Sequence, residues 1–196
     1  MSNVSLGILI SGRGSNMEAI IKACQANQIK ATVTVVISDK KDAKGIAIAK
    51  ALGITTFVLD INDFSTKQDY EADICRILKG CSVDLVCLAG YMKIVGETIL
   101  AAFKNRVINI HPSLLPAFKG LNAQKQALDY GVKFAGCSVH YVNDVLDGGP
   151  LILQDIVEVS DDDTEQTLSK KILKKEHIIY PRAIQIVLDR LSKREG

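Results

Sequence analysis

The sequence predicts an α/β fold in a single domain, residues 1–196: a doubly wound, mostly parallel sheet of Rossmann type, with an antiparallel C-terminal extension and a closing helix. Three observations carry this. As far as residue 130, short apolar, β-branched runs alternate with helix-periodic stretches. Two strand-like runs joined by an Asp/Gly turn follow, and a long stretch of helical period ends the chain.

The elements follow in order. Leu6–Ile10, Thr32–Ile37, Thr56–Leu59, Leu85–Ala89 and Val107–Ile110 are the strands of the parallel part. Helical periodicity falls near 16–26, 44–52, 66–79, 95–104 and 122–130, which with the strands is the β-α-β-α rhythm of a parallel, doubly wound sheet. "FAGCSVHYVNDVLDGGPLILQDIVEV" reads as two antiparallel strands about a polar turn. "SDDDTEQ" then supplies capping residues and first-turn carboxylates for a helix running to Leu191. Pro181 lies inside that pattern, so a kink or break near Tyr180 is expected.

Composition narrows the class. Hydrophobic residues at 47% and charged residues at 23% fit an ordinary soluble globular chain and exclude disorder. A formal net charge of +2 gives no reason to expect a nucleic-acid or membrane partner. No uncharged apolar run approaches the ~20 residues of a membrane span, and the N-terminus lacks a charged region with a cleavage site, so a cytoplasmic protein is expected. The five cysteines include no C-x-x-C pair and lie mostly in apolar runs, so all are read as structural, with no metal site.

Three stretches carry candidate chemistry. In "RVINIHPSLLPAFKG", side-chain alternation puts Asn109 and His111 on one face of a strand that Pro112 must end. An amide and an imidazole there can donate two hydrogen bonds to one oxygen, as a developing oxyanion requires. In "ISGRGSNMEAII", Gly12 and Gly14 allow a sharp turn, and Ser15 and Asn16 open a helix whose free N–H groups face any bound anion. That stretch fits a ligand-free capped turn and a single-phosphate site equally well. Met17 stands where a dinucleotide fingerprint needs glycine, and no G-K-[ST] is present. Asp147, in "NDVLDGGP", reads alone as a hairpin turn, whereas a carboxylate reaching His111 would favour its charged form and relay a proton. His140 reads as a strand residue, His177 as a helix residue and Asp161–Asp163 as a helix cap. No serine or cysteine nucleophile sits beside a base, so any acyl transfer should be direct.

Taken together, "SGRGSN", "LAGYMKI", "NIHPSLLP", "FKGLNAQ", "DGGPLILQ" and "EHIIYP" resemble the phosphoribosylglycinamide formyltransferases, within the wider family of 10-formyltetrahydrofolate-dependent formyltransferases. The resemblance runs from about residue 5 to about residue 190. It implies transfer of the formyl group of 10-formyltetrahydrofolate to the amine of 5'-phosphoribosylglycinamide, and it gives the catalytic roles to Asn109, His111 and Asp147. Gly14, Ser15 and Asn16 would hold the substrate phosphate and Glu176 the ribose. The folate would lie against Met92, Lys93, Ile94 and Val95, against Asn143, Asp144, Val145, Leu146 and Asp147, and near Asn109, with Lys67 matching a basic residue of bacterial members. Two positions depart from the family pattern: Lys93 replaces a common arginine, and Leu173 stands where some members carry a polar residue facing the ribose.

The resemblance implies small-molecule substrates and no metal, and leaves the oligomeric state open. A formyltetrahydrofolate hydrolase shares the core but adds an N-terminal regulatory domain, and methionyl-tRNA formyltransferase adds a C-terminal one. With a first strand by residue 6 and an end at 196, neither is expected. A non-catalytic phosphate-binding module is the remaining rival.

Overall fold

The computed structural model describes residues 4–192. Among these, seven strands form one sheet in the order β3-β2-β1-β4-β5-β6-β7. The strands are β1 (Val4–Ile10), β2 (Ala31–Ser38), β3 (Thr55–Val58), β4 (Leu85–Leu88), β5 (Val107–His111), β6 (Phe134–Tyr141) and β7 (Leu151–Glu158). β1 pairs in parallel with β2 and β4, and β2 with β3, whereas β6 and β7 are antiparallel. The predicted fold class is borne out. Each expected strand is found, with ends moved by one or two residues.

The chain gathers into two compact units, Met1–Ile108 and Asn109–Gly196. In the first, β1 and β4 have helices to cover both faces, so their side chains are buried on successive positions: Leu6, Ile8, Leu9 and Ile10 on β1, Leu85, Val86 and Cys87 on β4. β3 lies at the edge and leaves Phe57 and Val58 exposed. The helices are α1 (Ser15–Gln25), α2 (Lys44–Ala51), α3 (Lys67–Gly80) and α4 (Glu97–Ala102). α3 begins where the Thr66 hydroxyl accepts from the Asp69 N–H at 3.0 Å, and it buries Tyr70, Ile74, Ile77 and Leu78, one face of a 3.6-residue period. A 3₁₀ turn, Ile61–Asp63, is not foretold by periodicity; the Asp60 carboxylate accepts from the Asn62 N–H and initiates it locally.

In the second unit, α5 (Ala123–Tyr130) and α6 (Glu165–Ser192) accompany β6 and β7. Thr164 caps α6 by accepting from the Thr167 N–H at 3.2 Å. Of the kink or break expected near Tyr180, the break does not occur: α6 is one helix with Pro181 inside it. Proline removes one backbone donor and crowds the preceding turn. Tyr180, Ala183 and Ile184, all at 0% exposure around it, bury enough apolar surface to hold the helix on β6 and β7.

All five cysteines are free, with Cys75, Cys87 and Cys137 buried. No helix among the described residues is long and apolar enough to cross a membrane.

Candidate active site

Strand order reverses between β1 and β4, the point at which doubly wound sheets bind ligands beyond the strands' carboxyl ends. The two loops leaving those ends are joined there. The Ser11 N–H donates to the Gly90 carbonyl at 3.1 Å, and the Met92 N–H donates to the Ser11 hydroxyl at 2.8 Å. Gly14, with φ 76°, heads α1 with no side chain capping it. The start of a helix suits an anion, and Ser15 and Asn16 lie in the first turn of α1. Gly14 packs against Gly45, where an added Cβ would lie 2.6 Å from the Gly45 Cα, whereas a Cβ on Gly12 meets nothing within 4 Å.

Along the β4–α4 loop, Met92 and Ile94 project at 60% and 66% exposure, Lys93 is also exposed, and Val95 is buried. The loop is anchored where the Gly96 N–H donates to the Glu71 carboxylate at 2.6 Å. Glu71 is 3% exposed and also faces Lys67 Nζ at 3.6 Å. Lys67 therefore has a carboxylate partner on its own helix, and with Thr66, Gln68 and Glu97 it lines a cavity of about 420 Å³.

The second unit holds the titratable cluster. Asn109 and His111 share a face of β5, as alternation requires. The β6–β7 connection, Val142–Pro150, is longer than a two-residue hairpin, and it brings Asp147 to the imidazole: His111 Nδ1 lies 3.4 Å from Asp147 Oδ2. The same oxygen accepts from the Gly120 N–H at 2.9 Å. On its other side, His111 Nε2 lies 2.9 Å from the Phe118 carbonyl. A carbonyl and a carboxylate can only accept, so the ring fills both contacts only when it carries both N–H protons. In that state Asp147 faces it as a carboxylate 3.4 Å away. Burial by itself would raise the Asp147 carboxyl. The Gly120 N–H at 2.9 Å and a positive charge on His111 act against it and hold the group below its ordinary range, whereas the His140 ring, at 3.6 Å, is too far for a hydrogen bond.

His140, read from the sequence as a plain strand residue, completes the cluster. It is 2% exposed, with Nε2 at 3.2 Å from Asn109 Nδ2 and at 3.6 Å from Asp147 Oδ1. The signal that found Asn109 and His111, two polar residues on one face of an apolar strand, is present again in Ser138 and His140 of β6. The Phe118 carbonyl and Gly120 N–H had no such signal.

Asn143 and Asp144 precede Asp147 in the same loop, where Asn143 Oδ1 accepts from the Val145 N–H, and Val145 and Leu146 are about half exposed. Glu176 is 7% exposed on α6, within electrostatic reach of Cys137, whose thiol burial pushes up to about 12 with help from the Glu176 and Asp155 carboxylates.

The segment after His111 is fixed by buried polar contacts. Ser138 Oγ donates to the Ser113 carbonyl at 2.6 Å and accepts from the Leu115 N–H at 3.0 Å and from Gln154 Nε2 at 2.8 Å.

Fold and site thus define a doubly wound α/β protein with an imidazole–carboxylate pair and an amide at the carboxyl end of a strand. Residues 5–184 match the model of the formyl transferase family, and the chain belongs to that family. It is 42% identical to phosphoribosylglycinamide formyltransferase of Escherichia coli over 98% of this chain and 92% of that protein. It is 41% identical to the trifunctional purine biosynthetic protein adenosine-3 of Drosophila melanogaster over 94% of this chain, but spans only 14% of that longer protein. Among solved structures, glycinamide ribonucleotide transformylase 1 of Symbiobacterium toebii superposes with a TM-score of 0.92 at 48% identity, over 93% of this chain and 86% of that one.

Proposed function

We propose that the chain transfers the formyl group of 10-formyltetrahydrofolate to the amine of 5'-phosphoribosylglycinamide, a step of purine biosynthesis. The observation that carries this is the pairing of His111 with Asp147 at 3.4 Å, with Asn109 two residues before His111 on β5 and linked to Asp147 through His140, in a member of the formyl transferase family whose relatives are named phosphoribosylglycinamide formyltransferase.

The substrate amine forms a bond to the formyl carbon, and the bond from that carbon to the folate nitrogen breaks. Asn109 keeps one amide N–H beyond the one facing His140, and donates it to the oxyanion. The charged His111 gives up the Phe118 carbonyl for this stronger acceptor, then passes its proton to the departing folate nitrogen. Asp147 keeps His111 charged and accepts the proton lost by the amine, directly or through water. No covalent enzyme intermediate is needed. The phosphate is held by the uncapped start of α1 at Gly14, Ser15 and Asn16, and the ribose by Glu176. The folate lies along Met92–Val95 and Asn143–Asp147, with Lys67 as a basic contact.

The test is a single assay. The protein is mixed with 10-formyltetrahydrofolate, with and without phosphoribosylglycinamide, and the folate product is followed by absorbance. Turnover that needs the acceptor is expected. Turnover without it would point to a hydrolase, and none at all to a binding module.

A further inference from the structure

Resting on that reading, we infer that His140 is a positioning residue that decides which end of the Asn109 amide faces the reacting centre. His140 Nδ1 lies 2.9 Å from the Tyr141 carbonyl, which can only accept, so Nδ1 carries a proton. In the neutral ring Nε2 is then a bare lone pair. Asn109 Nδ2, 3.2 Å away, can only donate, and the contact is an N–H···N bond running from the amide to the ring.

An amide nitrogen carries two N–H groups. One goes to His140, and the other stays free for an oxyanion. The rotated amide would set Oδ1 against the Nε2 lone pair, acceptor against acceptor, and would offer the oxyanion a carbonyl oxygen in place of a donor. The ring therefore selects the catalytically useful rotamer of a side chain whose two ends differ little in shape. The ring itself has little room to adjust: it is 2% exposed, on β6 at the register shift between Val139 and His140. The carboxylate facing it is Asp147 Oδ1 at 3.6 Å, and a proton on Nε2 would turn toward that oxygen and release Asn109.

Two measurements test this. Long-range ¹H–¹⁵N NMR of the whole protein at neutral pH, with the His140 signals assigned by their loss in His140→Gln, should show Nδ1 protonated and Nε2 bare. A proton on Nε2, alone or on both nitrogens, overturns the inference. In kinetics, His140→Gln keeps an acceptor near the Nε2 position and should retain kcat within a few-fold. His140→Leu removes the acceptor and should lower kcat by about 10–100-fold, the scale of losing a partner that orients a functional ligand. KM for both substrates should hardly move. Added to Asn109→Ala, His140→Leu should produce no further loss, because it acts through the missing amide. Multiplying losses in the double variant, or a Gln variant as slow as the Leu one, would overturn the inference. If the Leu variant fails to fold, the NMR pattern and the Gln variant decide. If the parent transfers no formyl group, the functional reading falls, and the NMR pattern alone still decides the amide's orientation.

Discussion

Three positions lend themselves to single substitutions. Asn109→Ala removes an oxyanion donor, so kcat should fall by about 10²–10³, or roughly 2.7–4 kcal/mol, with the fold intact. A variant within a few-fold of the parent would end that role. Asp147 has φ 46°, a conformation that asparagine also tolerates, and an Asn side chain retains an oxygen for the Gly120 N–H. Asp147→Asn should therefore fold, yet lose most of kcat, because the counter-ion and proton acceptor are gone. It also carries a pH signature. Asp147 titrates below its ordinary range in the folded protein, so its ionised form stabilises the fold above about pH 4, and the contribution disappears as pH falls through the lowered value. In denaturant titrations the parent should exceed the variant at neutral pH, and the gap should close in acid; a gap that widens on acidification would contradict the assignment. For the phosphate loop, Gly14 is a poor probe, because its positive φ and its contact with Gly45 make any side chain a folding defect. Gly12→Val, with open space at its Cβ, should fold and weaken the ribonucleotide's kcat/KM far more than folate binding. Equal losses for both ligands would remove the phosphate from that loop.

Elements were legible where chemistry is local. β-branched runs marked the strands, and Asn109 with His111 could be placed together because alternation is a property of any strand. Pro181 does not end α6, because the cost of a proline is written in the sequence while the burial of Tyr180, Ala183 and Ile184 that offsets it depends on β6 and β7. The Phe118 carbonyl and the Gly120 N–H could not be foreseen, since every residue but proline carries the same backbone groups and only the fold aims them. His140 was legible in principle, by the rule that placed Asn109. At this scale the link between the segment after His111 and β6 is testable. Ser138→Ala leaves the buried Leu115 N–H without its acceptor, at a cost of about 1–3 kcal/mol. The denaturant midpoint should drop accordingly, and an unchanged midpoint would show that the contact is dispensable.

For the molecule as a whole, binding and stability are linked. A ligand that binds only the folded chain, at about 100 times its Kd, adds roughly 2.7 kcal/mol. At roughly 2–4 °C per kcal/mol for a chain of this size, phosphoribosylglycinamide should raise Tm by about 5–10 °C. A flat melting curve across a saturating titration would count against the ribonucleotide as ligand. The sheet order itself was within reach of the sequence only as a class: alternating strands and helices imply double winding, but the pairing of β1 with β4 rests on contacts between distant residues.

The free cysteines offer a way to watch the chain come apart. Cys87 on β4 belongs to one compact unit and Cys137 on β6 to the other, and both are fully buried. The Cys137 thiol, held up to about 12, is almost wholly unreactive toward alkylating reagents until its strand opens. Labelling followed by mass spectrometry, peptide by peptide, would time the opening of each unit within one molecule. Matched labelling rates for Cys87 and Cys137 would mean that the two halves melt as one cooperative body, and separated rates that one half outlasts the other.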